Sequence, residues 1–111
     1  MSFRVRSNNM IFLTRGDTFK AVLTITYPDG SIYTPIEGDS IRFALKRDID
    51  DEECLIWRDI PIDTMLLILY PGDTKELEFG TYVYDIQITK ANGDVDTFIT
   101  ASKLKLTAEV E

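Results

Sequence analysis

Residues 80–90 read GTYVYDIQITK, and their side-chain pattern decides the fold class. One parity carries the large apolar side chains, Tyr82, Tyr84, Ile86 and Ile88, and the other is mostly polar. Because successive side chains of a strand point to opposite faces, this period-two pattern predicts a strand with one buried and one solvated face. Asn92-Gly93 follows directly, and both residues tolerate positive φ, so the pair predicts a two-residue hairpin turn into a further strand.

Similar strand patterns recur on both sides of this segment. The other predicted strands are residues 10–14, 19–27, 41–46, 55–60, 64–70 and 94 onward, with a brief return at 31–33. Only residues 73–77 predict a helical turn, with Asp73 as the N-cap and Glu76 three residues later. Seven strands separated by turn residues, with almost no helix, predict an all-β fold, either a β-sandwich or a small barrel.

The last strand changes its phase along its length. A two-residue turn at 92–93 would place Lys90 opposite Val95 and Ile86 opposite Ile99. The apolar residues are odd-numbered as far as Ala101 and even-numbered from Leu104. Since such a switch needs one extra residue, it predicts a β-bulge within residues 101–103.

Local features favour an immunoglobulin-like β-sandwich of about seven antiparallel strands. Tyr82 lies just inside the sixth predicted strand, as the tyrosine corner of such domains requires. Tyr84, two positions on, occupies the place of a cysteine in antibody domains. Trp57 is a candidate for the core tryptophan, although it lies on the fourth predicted strand and not on the third.

Length, charge and cysteine content limit the class of protein. The 111 residues suffice for one domain, predicted at 10–111 and preceded by a polar arm or edge strand at 1–9. A net charge of −7 repels phosphate backbones, so nucleic acid is not an expected partner. No apolar segment reaches the about 20 residues that cross a bilayer, so no membrane partner is expected. A single cysteine excludes an internal disulfide and, without a signal peptide, fits a reducing cytoplasm.

The chain has no histidine, which removes the Ser-His-Asp and Cys-His triads and the usual zinc ligand sets. The sequence therefore predicts no enzyme, no catalytic residues, no cofactor and no metal site. The densest acidic group, residues 48–53, offers oxygen ligands that suit Ca²⁺, or it is a solvated turn. It lacks the glycine and distal glutamate of an EF-hand, which favours the turn.

Three other patterns have both a functional and a structural interpretation. Arg15-Gly16-Asp17 matches the integrin-binding tripeptide, but its place between two predicted strands favours a turn. Cys54 has no basic neighbour in sequence to activate it, which predicts an inert thiol. Aromatic side chains could form a sugar-binding surface, although inward parity is more typical of a core. These side chains are Tyr27, Tyr33, Tyr70, Tyr82, Tyr84 and Trp57.

The fifth predicted strand is apolar on both parities. A sandwich strand needs only one buried face, so Leu66, Ile68 and Tyr70 form a surplus apolar stripe. The chain's own loops or arm could cover this stripe, or it could be a subunit interface, including one within a homo-oligomer. We favour the interface.

Several short motifs, taken in order, resemble a known family. They are RGDTF at 15–19, DGSIY at 29–33, GDSIRF at 38–43, PGDTK at 71–75 and GTYVYDI at 80–86. Their order and spacing, from about Met10 to Val110, resemble a small domain common in phages and prophages of Gram-positive bacteria. This domain is similar to the N-terminal domain of the baseplate upper protein of lactococcal-type phages.

The resemblance implies an immunoglobulin-like sandwich that serves as a structural module and binds other phage tail or baseplate proteins. It implies synthesis in the cytoplasm of a bacterial host, a place in the virion, and no catalytic residues. In baseplate upper proteins a linker and a receptor-holding region follow this domain, whereas this sequence stops at Glu111, so an accessory or adaptor role is expected. The alternative function is a carbohydrate- or calcium-binding immunoglobulin-like module in host recognition.

Overall fold

The computed structural model describes residues 3–5, 10–27 and 29–108, which form ten strands and one short helix. The strands are β1 (Phe3–Val5), β2 (Ile11–Thr14), β3 (Phe19–Val22), β4 (Ile25–Thr26), β5 (Ile32–Tyr33), β6 (Ser40–Lys46), β7 (Ile56–Ile60), β8 (Leu66–Leu69), β9 (Gly80–Thr89) and β10 (Val95–Thr107). The helix, α1, spans Pro71–Thr74. The prediction of an all-β fold is therefore confirmed.

Six of the strands form a mixed sheet in the order β1-β2-β10-β9-β6-β7. The strands β3 and β8 form a second sheet of two antiparallel strands, and β4 and β5 form a third. Within the large sheet β10 runs parallel to β2, with Leu104 opposite Ile11. The prediction of antiparallel strands alone is wrong at this pair. Because β2 and β10 are distant in sequence, no tight hairpin fixes their relative direction.

The predicted strand 19–27 is divided into β3 and β4. At the division the amide of Leu23 donates to the carbonyl of Met65 at 2.8 Å, and β4 then pairs with β5. The odd-numbered residues of this strand were predicted to face the core. Phe19 and Ile25 are buried as predicted, whereas Tyr27 is 44% exposed.

One hydrophobic core lies between the large sheet and the β3–β8 pair. The inward residues predicted for β9 are buried, as are the two leucines of β8 that face them, Leu67 and Leu69. At its centre the rings of Phe43 and Tyr84 lie 5.4 Å apart. The prediction of Trp57 as a core residue is wrong. Ile56 and Ile60 are the residues of β7 that face the core, and Trp57, on the opposite face, is 58% exposed.

The β9–β10 hairpin has a three-residue loop. The amide of Lys90 donates to the carbonyl of Asp94, and the amide of Gly93, at φ 94°, donates to the carbonyl of Lys90. The predicted two-residue turn is therefore wrong, and Val95 pairs with Thr89 instead of Lys90. A glycine at positive φ in the last loop position is typical of three-residue hairpins.

Two register shifts follow along β10. The first, between Thr97 and Ile99, restores the predicted pairing of Ile99 with Ile86. The second, between Ile99 and Ser102, overlaps the predicted bulge and brings Leu104 into the core. The change in which residues of β10 face the core was thus predicted correctly. The first shift was not predicted, and it offsets the one additional residue in the hairpin loop.

The N-cap of the helix lies three residues before the predicted N-cap, Asp73. Its N-cap is Tyr70, and Pro71 follows in the first turn, where a missing N–H does no harm. Asp73, predicted as the N-cap, lies in the third helical position, and its carboxylate accepts a hydrogen bond from the Tyr70 amide at 2.7 Å.

Candidate interaction surfaces

The predicted apolar stripe lies on the side of β8 that faces away from the core. Leu66 and Ile68 are half-buried, and Tyr70, just after the strand, is 53% exposed. These three residues line one groove of about 230 Å³, which we call the β8 groove. Its other lining residues are Arg58, Asp59, Pro61 and Thr64.

A charged pair fixes one end of the β8 groove. The Arg58 guanidinium lies 2.5 Å from the Asp73 carboxylate and 5.8 Å from the centre of the Tyr70 ring. Arg58 belongs to β7 and Asp73 to α1, so the pair ties the edge of the large sheet to the chain that follows β8. Tyr70 is thereby held in place although half of its surface is open.

Among the described residues, β8 pairs with β3 on one side and with no strand on the other. Because Met65 accepts a hydrogen bond from Leu23, the alternation of an antiparallel pair turns Leu67 and Leu69 toward β3 and turns Leu66 and Ile68 away from it. The amide of Leu66 meets the hydroxyl of Thr64 at 3.4 Å. Within the described part of the chain, no partner is found for the outward backbone groups of Ile68.

A short connection leaves this side of β8 open. Residues 61–65 join β7 to β8, and a hydrogen bond from the Met65 amide to the Pro61 carbonyl at 2.8 Å closes the turn. Met65 has a φ of 55°, a left-handed conformation that is uncommon outside glycine. The connection is too short to form another strand. As a result, β7 and β8 are each an edge strand of a separate sheet.

Tyr82 is held by its hydroxyl group. Its ring is buried, and the hydroxyl donates to the carbonyl of Glu78 at 2.5 Å. The guanidinium of Arg47 lies 4.8 Å from the ring centre. This bond fixes the chain at the entry to β9.

The Arg15-Gly16-Asp17 segment forms a turn between β2 and β3. The Arg15 guanidinium donates to the carbonyl of Leu77 at 3.3 Å and stacks 4.0 Å from the centre of the Phe79 ring. The Gly16 amide donates to the hydroxyl of Thr74, which is fully buried. The tripeptide is thus engaged in contacts with the segment that leads into β9.

The acidic connector 48–53 forms a turn on the surface. The Asp48 amide donates to the carboxylate of Asp51 at 3.0 Å, and Lys46 donates to the Asp51 carbonyl at 2.7 Å. Among the described residues, no group of three or more acidic or cysteine side chains is arranged to hold a metal ion. Cys54 is exposed at the end of this connector.

The aromatic side chains predicted for a sugar-binding surface do not share one surface. Tyr82 and Tyr84 are in the core, and Tyr70 lines the β8 groove. Only Tyr27 and Tyr33 come together, with their rings edge to face at 5.8 Å. They line a cleft of about 360 Å³ between the β4–β5 hairpin and β10, which we call the hairpin cleft.

Sequence reasoning missed the residue that shapes the hairpin cleft. Asp39 is 8% exposed, and its carboxylate accepts hydrogen bonds from the Tyr33 hydroxyl at 2.5 Å, the Ile36 amide at 3.0 Å and the Ala91 amide at 3.0 Å. The Tyr33 hydroxyl, followed by these amides, lowers the pKa of Asp39. The same bond raises the pKa of Tyr33 to about 12. An aspartate before a strand is common, so only the fold reveals this role.

Comparisons with known proteins do not assign the chain to a family. No family model matches it, and no curated protein is significantly similar to it. Among the described residues no helix is long and apolar enough to cross a membrane.

Proposed function

We propose that this chain is a non-enzymatic structural or assembly protein of a phage or prophage tail or baseplate. It acts by binding an extended segment of another tail protein along the open side of β8. The observation that supports this proposal best is the backbone of Ile68 beside the β8 groove, whose outward groups have no partner among the residues that the structure describes. A strand edge presents N–H and C=O groups that water or another strand can satisfy, and strand addition is a recurrent mode of peptide recognition.

The composition of β8 supports a docking role. Exposed edges of monomeric proteins are usually protected by charged residues, proline or a bulge. The sequence of β8, LLIL, has none of these, although Leu66 and Ile68 are only half-buried. An added strand would pair the backbone of Ile68 and cover the flanks of the Leu66 and Ile68 side chains, which removes part of their apolar surface from water.

The strand arrangement supports an immunoglobulin-like sandwich. The order β10-β9-β6-β7 corresponds to strands G, F, C and C′ of a variable-type domain, and the pair β3–β8 to strands B and E. The bond from Tyr82 to Glu78 resembles a tyrosine corner. Phe43 against Tyr84 occupies the place of the tryptophan and the second cysteine of antibody domains.

This correspondence explains the open edge of β8. In an immunoglobulin sandwich strand D lies beside strand E. Here residues 61–65 replace that segment, so the position of strand D has no strand from the described part of the chain. The partner segment would occupy that position.

Mass spectrometry of purified particles from the bacterium that encodes the chain tests the proposal. We expect the chain in the particles, and we expect Ile68→Lys to prevent its incorporation, because a lysine on an edge strand opposes the addition of another strand. Val95→Lys is the matched control, since Val95 is 56% exposed at the β9–β10 hairpin and lines neither surface. Absence of the wild-type chain from the particles would refute the tail role, and equal incorporation of both variants would refute the β8 surface.

Light scattering distinguishes a second copy of the chain from a different partner. If the purified wild type is a dimer and Ile68→Lys is a monomer, the open edge belongs to an interface between copies. If both are monomers, the edge is free for another tail protein.

A further inference from the structure

The hairpin cleft has the form of a small-ligand site and shares no lining residue with the β8 groove. Its volume of about 360 Å³ lies within the usual range of ligand pockets. It is lined by Ile25, Thr26, Tyr27, Tyr33, Ile88, Lys90, Asp96 and Thr97. Ile25 and Ile88 are buried, and Tyr27 keeps an exposed aromatic surface. The cleft therefore combines apolar contacts with several polar groups.

The polar groups include both donors and acceptors. Lys90 Nζ lies 3.4 Å from Asp96 Oδ2 and 5.1 Å from the centre of the Tyr33 ring. The Thr97 hydroxyl accepts a hydrogen bond from Gln87 at 3.1 Å on the face of the large sheet opposite to Ile88 and Asp96, so it does not face the cleft.

Contacts far apart in sequence hold the cleft in shape. Asp39 binds Tyr33 on one wall and Ala91, beside Lys90, on the other. Because the Tyr33 hydroxyl is occupied by Asp39, its ring is the part left to contact a ligand. The cleft is thus largely formed before any ligand binds, which reduces the ordering that binding requires.

We propose that the hairpin cleft binds a neutral saccharide of one or two rings. A sugar ring has an apolar C–H face that packs on an aromatic side chain, and each of its hydroxyls both donates and accepts. Tyr27 and Tyr33 supply the aromatic surface, and Lys90 and Asp96 supply the matching polar groups. The paired charges of Lys90 and Asp96, on a chain of net charge −7, favour an uncharged ligand.

Titration of the ¹⁵N-labelled protein with glucose, galactose, rhamnose and N-acetylglucosamine tests this proposal. Each sugar is raised to about 50 mM, because an open single-ring site is expected to have a millimolar Kd. We expect at least one sugar to shift the amide signals of Tyr27, Tyr33, Lys90 and Thr97. Tyr27→Ala should weaken binding at least about tenfold.

Tyr70→Ala is the matched control, because Tyr70 is also an exposed tyrosine but lines the β8 groove. It should bind the sugar as the wild type does, as should Ile68→Lys. No shift with any of the four sugars, shifts outside the hairpin cleft, or unchanged binding by Tyr27→Ala would each overturn the proposal. These results leave the test of β8 docking unaffected, since that test measures incorporation into particles.

Discussion

The carboxylate of Asp39 lies 3.0 Å from the amide nitrogen of Ala91, 52 residues further along the chain. The bond connects the turn before β6 to the loop after β9. The other carboxylate oxygen accepts from Tyr33 and Ile36, so one nearly buried side chain satisfies donors from three segments. A charge in such a position is stable only when hydrogen bonds replace its hydration.

Replacing Asp39 should make the stability of the protein less dependent on acid pH. A carboxyl whose folded pKa is lowered stabilises the fold above its unfolded pKa of about 3.9, and this contribution is lost as pH falls through the folded pKa. We expect Asp39→Asn to lower the melting temperature at neutral pH and the difference from wild type to shrink below about pH 4. Thermal unfolding followed by circular dichroism over a pH series measures this difference. Asp50→Asn, in the exposed acidic connector, should show little change, and a pH-independent difference for Asp39→Asn would contradict the assignment.

The pKa of the Tyr33 phenol should be high because its hydroxyl donates a hydrogen bond to Asp39 that ionisation would break, and because ionisation would place a second negative charge there. Its pKa rises to about 12, and burial raises the pKa of Tyr84 to about 12. A raised phenol pKa stabilises the fold below the unfolded value of about 10, and the contribution is lost between about pH 10 and 12. Ultraviolet absorbance of tyrosinate should show Tyr33 and Tyr84 as late-titrating groups. Tyr33→Phe should remove one, and Asp39→Asn should move that one to lower pH while Tyr84 stays; an unmoved titration in Asp39→Asn would refute the coupling.

The hydrogen bond from Tyr82 to Glu78 should contribute measurably to stability. Tyr82→Phe keeps the buried ring but leaves the Glu78 carbonyl without this donor. We expect the free energy of unfolding to fall by about 1–2 kcal/mol. Denaturation in urea measures it, with Tyr70→Phe as the control because the Tyr70 ring is half-exposed. Equal midpoints for the two variants would show that the bond at the entry to β9 contributes little.

The alternation of apolar and polar residues correctly predicted which side chains are buried wherever a strand has one buried and one solvated face. Tyr84 and Ile86 are buried as their spacing indicates, because a one-residue slip would expose the whole set. The turn length of the hairpin could not be predicted in the same way. Asn92-Gly93 suits a two-residue turn, yet Gly93 also fits the last position of a three-residue loop, and the contacts of Lys90 with Asp94 and Gly93 decide between them.

The two candidate surfaces differ in how far the sequence predicts them. The stripe of Leu66, Ile68 and Tyr70 is visible as surplus hydrophobicity, and the structure brings all three residues to one groove. The hairpin cleft depends on Asp39, whose partners are set by a contact between distant loops, and on Tyr27, whose inward parity fails once the strand divides at Leu23. Local patterns carry no information about such long-range contacts.

The close approach of Gly38 to Ala91 supports the last prediction. A Cβ atom at Gly38 would lie 2.8 Å from the Cβ of Ala91, and its φ of 96° is unfavourable for other residues. Gly30 has a similar φ of 89°, but a methyl group there would meet no atom within 4 Å, so Gly30→Ala isolates the backbone cost. We expect Gly30→Ala to destabilise by about 1 kcal/mol and Gly38→Ala by at least about 1 kcal/mol more.

A double substitution separates the steric cost from the backbone cost. Ala91→Gly removes the atom that a methyl group at position 38 would meet, so Gly38→Ala combined with Ala91→Gly should recover the additional loss but not the backbone cost. Urea denaturation of the four proteins of this cycle gives the coupling energy directly. If the cycle shows no coupling, the loop at Gly38 and the β9–β10 loop are not in contact, and the bond between Asp39 and Ala91 cannot hold the hairpin cleft together.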